Sequence, residues 1–183
     1  MKKKVLIILL LTGLLIGCQS RRSDQALIKQ RYEAYYSEIM NNELFVESSN
    51  YFDITTVVNQ LGNNEYRYDV IIDNPKIAMY DINALVIENN QELFNDAEDS
   101  VMPLIISTSN SPIHLIPFQV NIAEGYVKGI VLSGIVAEIP FNAKILVTWK
   151  DYGEVKTYKE FLEFEVDEAP QEVVPEVEPE TTE

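Results

Sequence analysis

The sequence predicts a mainly β protein, built as an antiparallel β-sandwich of seven or eight short strands. Apolar and polar residues alternate with a period of two in several runs between residues 50 and 166. Gly, Asn and Pro residues separate these runs, and almost none of the region has the spacing of a helix. Such patterns are typical of a sandwich, and a closed barrel is the alternative that they leave open.

The first strands of this 50–166 domain are predicted as a hairpin. Apolar residues occupy alternate positions from about Tyr51, and a second alternating run covers residues 66–73. A Gly-Asn-Asn turn lies between the two runs, as expected for a β-hairpin. A third strand is predicted where apolar residues become nearly continuous, at 82–87 after an Asn-Pro turn.

The second half of the domain contains several prolines. Residues 101–107 and 113–122 are predicted as edge or broken strands, because proline has no amide hydrogen for the ladder. Residues 127–139 are almost entirely apolar, which indicates a buried strand with a bend or bulge at one of its glycines. The final pair is the clearest: residues 143–150 and 158–166 alternate on either side of an Asp-Tyr-Gly-Glu turn.

One amphipathic helix is predicted before the domain, at residues 24–42. Its apolar and aromatic residues recur every three or four positions: Ile28, Tyr32, Tyr35, Tyr36, Ile39 and Met40. An isolated helix of this length is marginally stable, so the stripe should pack against something. We expect it to pack on the protein's own domain. The alternative is that the apolar stripe of the helix binds another protein or a membrane surface.

The N-terminus has the pattern of a bacterial export signal. Three lysines precede an apolar run at residues 5–16, and a run of a dozen residues is shorter than the roughly twenty needed to span a bilayer. Leu15-Ile16-Gly17-Cys18 follows. This segment resembles the lipobox of bacterial lipoproteins.

The lipobox resemblance implies a chemical role for Cys18. In that family the cysteine thiol receives a diacylglycerol group, and a dedicated peptidase cleaves before the cysteine. Residues 1–17 are then a signal peptide, and residues 18–23 are the lipidated cysteine and a tether. Two acyl chains give stable anchoring to a membrane, at its extracytoplasmic face. Cys18 is the only cysteine in the sequence, so no disulfide is expected within the chain.

Three segments also resemble an immunoglobulin-like module. They are the Asp-Asn-Pro turn at 73–75, the apolar strand at 82–87, and the Trp-Lys-Asp-Tyr-Gly segment at 149–153. The order and spacing of their strand and turn residues are similar to those of the small FxLYD-type sandwiches of bacterial envelope lipoproteins. The resemblance implies an immunoglobulin-like fold and a binding or spacing role.

Charge excludes some classes of partner. Without the three N-terminal lysines, 11 basic residues face 29 acidic ones, which gives a net charge of about −18. Nucleic-acid binding requires a basic surface, so it is not expected. A polybasic attachment to anionic lipids is not expected either. Residues 167–183 combine prolines and glutamates without any aromatic residue, which predicts a disordered acidic tail.

Residues capable of catalysis are few. His114 is the only histidine, and its apolar neighbours indicate a structural side chain. Glu163 and Glu165 share one strand face, which is predicted to be the solvated one rather than a glycosidase site. The acidic loop with Asp96, Glu98 and Asp99 supplies oxygen ligands for a weak Ca²⁺ site, although it lacks the glycine and spacing of an EF-hand.

These features predict a non-enzymatic, lipid-anchored envelope protein without a cofactor other than its own acyl lipid. It would act as a binding or spacer module for another envelope protein or a wall component. The alternative is a lipoprotein that binds a small ligand or Ca²⁺ through its loops. A hydrolase that depends on His114 or on a carboxylate pair is a third hypothesis, which no motif supports.

Overall fold

A computed structural model of the protein describes residues 26–62, 65–91 and 103–167. These residues form one α-helix, a short 3-10 helix at Ile122–Glu124 and seven strands in two antiparallel sheets, which confirms the prediction of a mainly β protein. The elements are α1 (26–40), β1 (Asp53–Gln60), β2 (Tyr66–Asp73), β3 (Tyr80–Glu88), β4 (Leu104–Ile105), β5 (Gly129–Val136), β6 (Phe141–Lys150) and β7 (Thr157–Val166). The predicted signal peptide with Cys18, the acidic loop at Asp96, Glu98 and Asp99, and the predicted tail beyond residue 167 lie outside the described residues.

The seven strands divide into sheets of three and four. The first sheet has the order β1-β2-β5, and the second has the order β4-β3-β6-β7. β1 and β2 form the predicted hairpin, with Asp53 opposite Asp73. β6 and β7 form the predicted final hairpin in a continuous register, from Phe141 opposite Val166 to Lys150 opposite Thr157.

The inner faces of both sheets share one hydrophobic core. Apolar side chains alternate into it from every long strand, as the period of two requires. Its largest fully buried members are Trp149, Tyr68, Phe52 and Phe141. Tyr68 lies across Gly134 of the neighbouring strand β5, in the space that a Cβ atom at that glycine would fill. The glycine that predicted a bend or bulge therefore makes room for a core aromatic ring.

Helix α1 packs on the outer face of the four-stranded sheet, in agreement with the expectation that it packs on the protein's own domain. Its buried residues and those of the sheet beneath form a second core: Tyr32, Tyr35, Ile39, Leu85, Ile87 and Leu146. The Tyr35 hydroxyl forms a 2.7 Å hydrogen bond with Thr148 Oγ1 on β6. Ile28 and Met40, at the two ends of the predicted stripe, remain exposed.

The cover that α1 provides explains why β6 is buried on both faces. Ala143, Ile145 and Val147 point into the shared core. Leu146 and Thr148 alternate with them and share the side of the strand that carries Lys144 and Lys150, yet both are buried. Since α1 lies over them, the outer face of β6 is an interior surface too.

The two segments predicted as edge or broken strands pair only over short stretches, and β4 is an edge strand. Of residues 101–107, only Leu104–Ile105 form a strand among those described. Residues 113–122 form isolated bridges and turns, including a bridge between Met79 and Leu115. Pro112 and Pro117 lack the amide hydrogens that a ladder needs, and the backbone of Phe118 has a positive φ of 61° that no strand allows.

The prediction that residues 127–139 form a buried strand is confirmed only in part. β5 covers only Gly129–Val136, and its exposure alternates along the strand. Ile130 and Leu132 enter the core, whereas Val131 and Ile135 are half exposed on the outer face. No described element covers that face, so an apolar sequence here does not correspond to burial on both sides.

Candidate functional site

Most of the predicted site residues fall outside the described part of the chain or in structural roles. Cys18 and the acidic trio Asp96, Glu98 and Asp99 lie outside the described residues. Glu163 is 3.7 Å from Lys144 Nζ in an ion pair across the β6–β7 hairpin. Glu165 is exposed on the same strand. The structure does not bring these two glutamates to any cleft among the described residues.

Three connections meet at one end of the two sheets, which we call the loop end. They are residues 74–79 after β2, 106–128 after β4 and 151–156 after β6. Aromatic rings join the second connection to the third: Tyr80 lies 5.2 Å from His114 and 5.9 Å from Tyr152 between ring centroids. His114 in turn lies 5.1 Å from Tyr126. The loop end is therefore a packed surface.

A polar cluster around Asp81 lies where the loop end meets the four-stranded sheet. A register shift in the pairing with β6 places Asp81 in a bulge with a positive φ of 47°. Its Oδ2 accepts a 2.8 Å hydrogen bond from Lys150 Nζ, and its Oδ1 accepts one of 3.3 Å from Ser107 Oγ. Its amide donates to His114 Nδ1 over 3.1 Å. The cluster borders a cleft of about 120 Å³, which is also lined by Arg31.

These contacts keep Asp81 ionised. Burial by itself raises the pKa of this carboxyl group, but the hydrogen bond and charge of Lys150 outweigh it. With smaller contributions from Ser107 and His114, the pKa of Asp81 falls below its usual range. The same ion pair raises the pKa of Lys150.

The Asp81 cluster contains Ser, His and Asp, but it lacks the geometry of a catalytic triad. A nucleophilic serine must give its proton to a base, usually a histidine that a carboxylate orients. Here Ser107 donates directly to Asp81, and a carboxylate with a lowered pKa is a weak base. His114 Nδ1 accepts from a backbone amide, so it is not available to a serine. The geometry favours a structural role, which is the role predicted for His114.

The most exposed apolar residues of the loop end lie on two of its connections. Phe118 is fully exposed at 109% of its reference area, Ile122 at 78% and Val120 at 59%. On the connection after β6, Tyr152 is 84% exposed and Val155 is 88% exposed. We call these five residues the apolar tip. Single exposed apolar residues are ordinary, but five on two connections of one end make the loop end a candidate interaction surface.

The backbone that presents Phe118 is held by its own hydrogen bonds. Asn121 and Tyr126 exchange two backbone hydrogen bonds of 2.9 and 3.0 Å, and the Gln119 amide donates to the Ile116 carbonyl over 3.2 Å. Gly125 has a φ of 81° and lies so close to the Pro112 carbonyl that a Cβ atom would collide with it. The ordered backbone therefore holds Phe118 outward, in a φ region that is uncommon for an aromatic residue.

A groove of about 450 Å³ lies beside the apolar tip. The turn after β2 forms one wall with Asn74 and Pro75, and the segment 116–120 forms the other. Lys128 also lines the groove. The walls of this groove are mostly apolar.

The sequence pattern identifies none of these loop-end features as a site. The Asp81 cluster depends on a bulge that appears only when β3 pairs with β6. Phe118 lies within a predicted strand, where half of the side chains would be buried. The sequence gives one hint of this surface: Pro112 and Pro117 lack the amide hydrogens of a regular strand. Apolar residues that follow them, such as Phe118 and Val120, can therefore lie in an exposed loop.

Comparisons with protein-family models, with curated proteins and with solved structures each find no match to the chain. Within residues 26–62, 65–91 and 103–167, no helix is both long and apolar enough to cross a membrane. The same residues place no three His, Cys, Asp or Glu side chains together in a metal-binding group.

Proposed function

We propose that the protein is a lipid-anchored, non-enzymatic module of the bacterial cell envelope, attached through a diacylglycerol on Cys18 at the extracytoplasmic face of the membrane. Its role is to bind, or to hold at a distance, another envelope protein or a wall component. The observation that carries this proposal is the apolar tip, which presents five exposed apolar side chains on an ordered backbone. Such a surface suits association rather than chemistry.

We also propose that the two sheets form an immunoglobulin-like β-sandwich. Immunoglobulin constant domains place strands one, two, five and four in one sheet and three, six and seven in the other. Here the orders β1-β2-β5 and β4-β3-β6-β7 differ from that plan only in the short strand β4, which pairs with β3. Sandwich modules of this kind host many functions, so the fold supports a binding role without fixing it.

The polar groups of the loop end support the non-enzymatic part of the proposal. Ser107 and Lys150 both donate to Asp81, and His114 accepts from its amide. These groups satisfy one another, whereas catalytic groups need a free lone pair or proton aimed at a substrate.

Cross-linking in intact cells tests the proposed association. The lipidated wild type should give a discrete cross-linked product, and Cys18→Ala should lose it because the protein is no longer held beside its partner. Tyr35→Phe is the matched control, since it changes a buried hydroxyl and leaves the surface intact. A wild-type protein that remains free of cross-links to any envelope protein or wall fragment would contradict the binding role.

A further inference from the structure

The edges of the two sheets differ in how well they are protected from pairing with another strand. In the four-stranded sheet, β4 has only two residues. β7 is covered in part by Val46, whose amide donates to the Phe161 carbonyl and whose carbonyl accepts from the Glu163 amide, each over 3.0 Å. β7 also has the charged residues Lys159 and Glu160. Short length, cover and charge all protect a sheet edge, so the longer open edges belong to the three-stranded sheet.

Strand β1, at one edge of the three-stranded sheet, has none of these protections. It pairs with β2 along all eight of its residues in a continuous register, without a bulge. It contains no proline and no basic residue. Asp53 is its only charged residue, and this carboxylate accepts hydrogen bonds from Asn74 Nδ2 and Lys76 Nζ. A long, nearly uncharged edge strand is a template for the addition of another strand.

The ladder between β1 and β2 shows which backbone groups of β1 are free. Leu61 and Glu65 continue its register, and the Leu61 amide donates to the Glu65 carbonyl over 2.7 Å. Because bonded and non-bonded pairs alternate in an antiparallel ladder, the odd-numbered residues of β1 bond to β2. The amides and carbonyls of the even-numbered residues point away from β2: Ile54, Thr56, Val58 and Gln60. No backbone hydrogen bond reaches them from elsewhere in the part of the chain that the structure describes.

The hydrophobic core is also open beside β1. Ile54 and Val58 pack against the shared core but are only partly buried. β5 is the other uncharged edge of this sheet, yet its inward-facing residues Ile130, Leu132 and Val136 are at most 6% exposed. A strand added beside β1 would therefore remove more apolar area from water than one added beside β5.

We propose that β1 pairs with β1 of a second copy of this chain, so that two three-stranded sheets join into one six-stranded sheet. In an antiparallel pair with Thr56 opposite Thr56, the free amides and carbonyls of both strands meet. The pairs on either side place β-branched residues together and keep the two acids apart: Ile54 with Val58, Thr55 with Val57, and Asp53 with Asn59. This inference goes beyond the proposed function and does not depend on the lipid anchor.

The charge of the chain favours a second copy only at an edge of this kind. The formal net charge is −15, so two copies repel each other across most of their surfaces. In the proposed pair the single acid of each β1 faces an asparagine and keeps its own lysine partner, Lys76. The pairing has two-fold symmetry and occupies β1 of both copies, so the assembly stops at a dimer.

A proline at the free edge tests the proposed pairing. Thr56→Pro removes an amide hydrogen that points away from β2, so the ladder within the sheet keeps its hydrogen bonds. Val131→Pro is the matched control on β5. Val131 lies opposite Ile71, whose backbone bonds to β1, so the Val131 amide also points out of the sheet. Sedimentation velocity of the full-length proteins in density-matched detergent, over a range of concentrations, gives the dissociation constant of the dimer.

Lysine substitutions repeat the comparison if a proline variant fails to fold. Val57 and Val131 are 38% and 50% exposed on the outer face of the same sheet. Val57→Lys places a charge at the β1 edge, whereas Val131→Lys places the same charge at the β5 edge.

The expected result is a dimer of the wild type that Val131→Pro leaves unchanged. Thr56→Pro should raise the dissociation constant about tenfold or more, since it removes two symmetric backbone hydrogen bonds of about 1 kcal/mol each. Thr56→Cys should form a disulfide between the two copies on oxidation, because Cα atoms about 5.5 Å apart suit that bond. The wild type, whose only cysteine is Cys18, is the control for this reaction.

Three outcomes would overturn the inference. The first is a wild type that stays monomeric at every concentration. The second is a dimer that Val131→Pro weakens as much as Thr56→Pro does, since β1 is then not the contact. The third is a monomer whose amides at Ile54, Thr56 and Val58 exchange slowly with solvent, which would show that another segment of the same chain occupies the edge. None of these outcomes bears on the acylation of Cys18.

Discussion

The two sheets differ most in what lies on their outer faces. Helix α1 covers the four-stranded sheet, where Leu85 and Leu146 are fully buried beneath it. The three-stranded sheet has no such cover among the described residues, and Val131 and Ile135 on its outer face are each half exposed. The covered face therefore stabilises the fold, whereas substitutions on the uncovered face should cost little stability.

A polar network keeps the uncovered face compatible with water. Asp69 Oδ1 accepts hydrogen bonds from Arg67 and from Ser133 on the adjacent strand, over 3.1 and 2.5 Å. These groups lie between the exposed apolar side chains, so the apolar area is divided. Division of this kind limits edge-to-edge and face-to-face aggregation of an exposed sheet.

The sharpest test of the comparison substitutes the same residue type on the two faces. Ile39→Ala removes a fully buried side chain between α1 and the sheet, and should lower the free energy of unfolding by about 2–5 kcal/mol. Ile135→Ala on the uncovered face should cost less than about 1 kcal/mol, mostly through its lower β propensity. Urea denaturation followed by Trp149 fluorescence measures both. Equal losses would show that α1 does not contribute a second core.

A smaller loss of unfolding free energy is expected when the hydrogen bond between Tyr35 of α1 and Thr148 of β6 is removed. Tyr35→Phe removes the 2.7 Å hydrogen bond to Thr148 Oγ1 and should cost about 1 kcal/mol, because the buried threonine loses its best partner. Tyr152→Phe is the control, since its side chain is 84% exposed. A Tyr35→Phe variant as stable as the control would indicate that Thr148 finds an equivalent partner, for which Asn83 Nδ2 at 3.5 Å is the candidate.

The smallest change in stability is expected at Glu88, a buried acid whose hydrogen bond with Tyr68 links the two sheets. Tyr68 of the three-stranded sheet donates a hydrogen bond to Glu88 Oε1 of the four-stranded sheet. Burial raises the pKa of Glu88 above its usual value, although the Tyr68 hydrogen bond partly opposes this. The folded state consequently binds this proton more readily than the unfolded state does. Stability from this group therefore rises as the pH falls through the raised pKa.

Glu88→Gln should accordingly unfold at a slightly higher temperature than the wild type at pH 7. The advantage should shrink toward pH 4, where Glu88 is protonated in both the folded and unfolded states of the wild type. Thermal melts of the two proteins across this pH range measure the difference, and subtraction removes the opposite contributions of Asp53 and Asp81, whose pKa values are lowered. A difference that grows on acidification would contradict a raised pKa for Glu88 in the folded protein.

The sequence is informative where one face of a strand is buried and the other is not. The β1–β2 and β6–β7 hairpins are predictable because alternation and turn residues agree there. Burial of Leu146 and Thr148 on the second face of β6 is not predictable from alternation, since it depends on where α1 packs. The segment at 113–122, predicted as an edge or broken strand, forms no regular ladder because Pro117 lacks an amide hydrogen and Phe118 has a positive φ.

Site prediction from the sequence is weaker for a similar reason. Asp81 looks like an ordinary strand residue until the bulge brings it beside Lys150 and Ser107. Phe118 looks like a core residue until its positive φ turns it outward. The Asp81 cluster depends on contacts between segments that are distant in the sequence, whereas the Phe118 conformation depends on hydrogen bonds within its own connection. The alternation of apolar and polar residues indicates neither.

The intact mass of the protein isolated from bacterial membranes tests the lipid anchor on Cys18 most directly. A lipid-anchored module predicts a chain that begins at Cys18, with the added mass of a diacylglyceryl group on that residue, and Cys18→Ala should abolish this addition. A chain that begins at any other residue, or one in which Cys18 has a free thiol, would contradict the account.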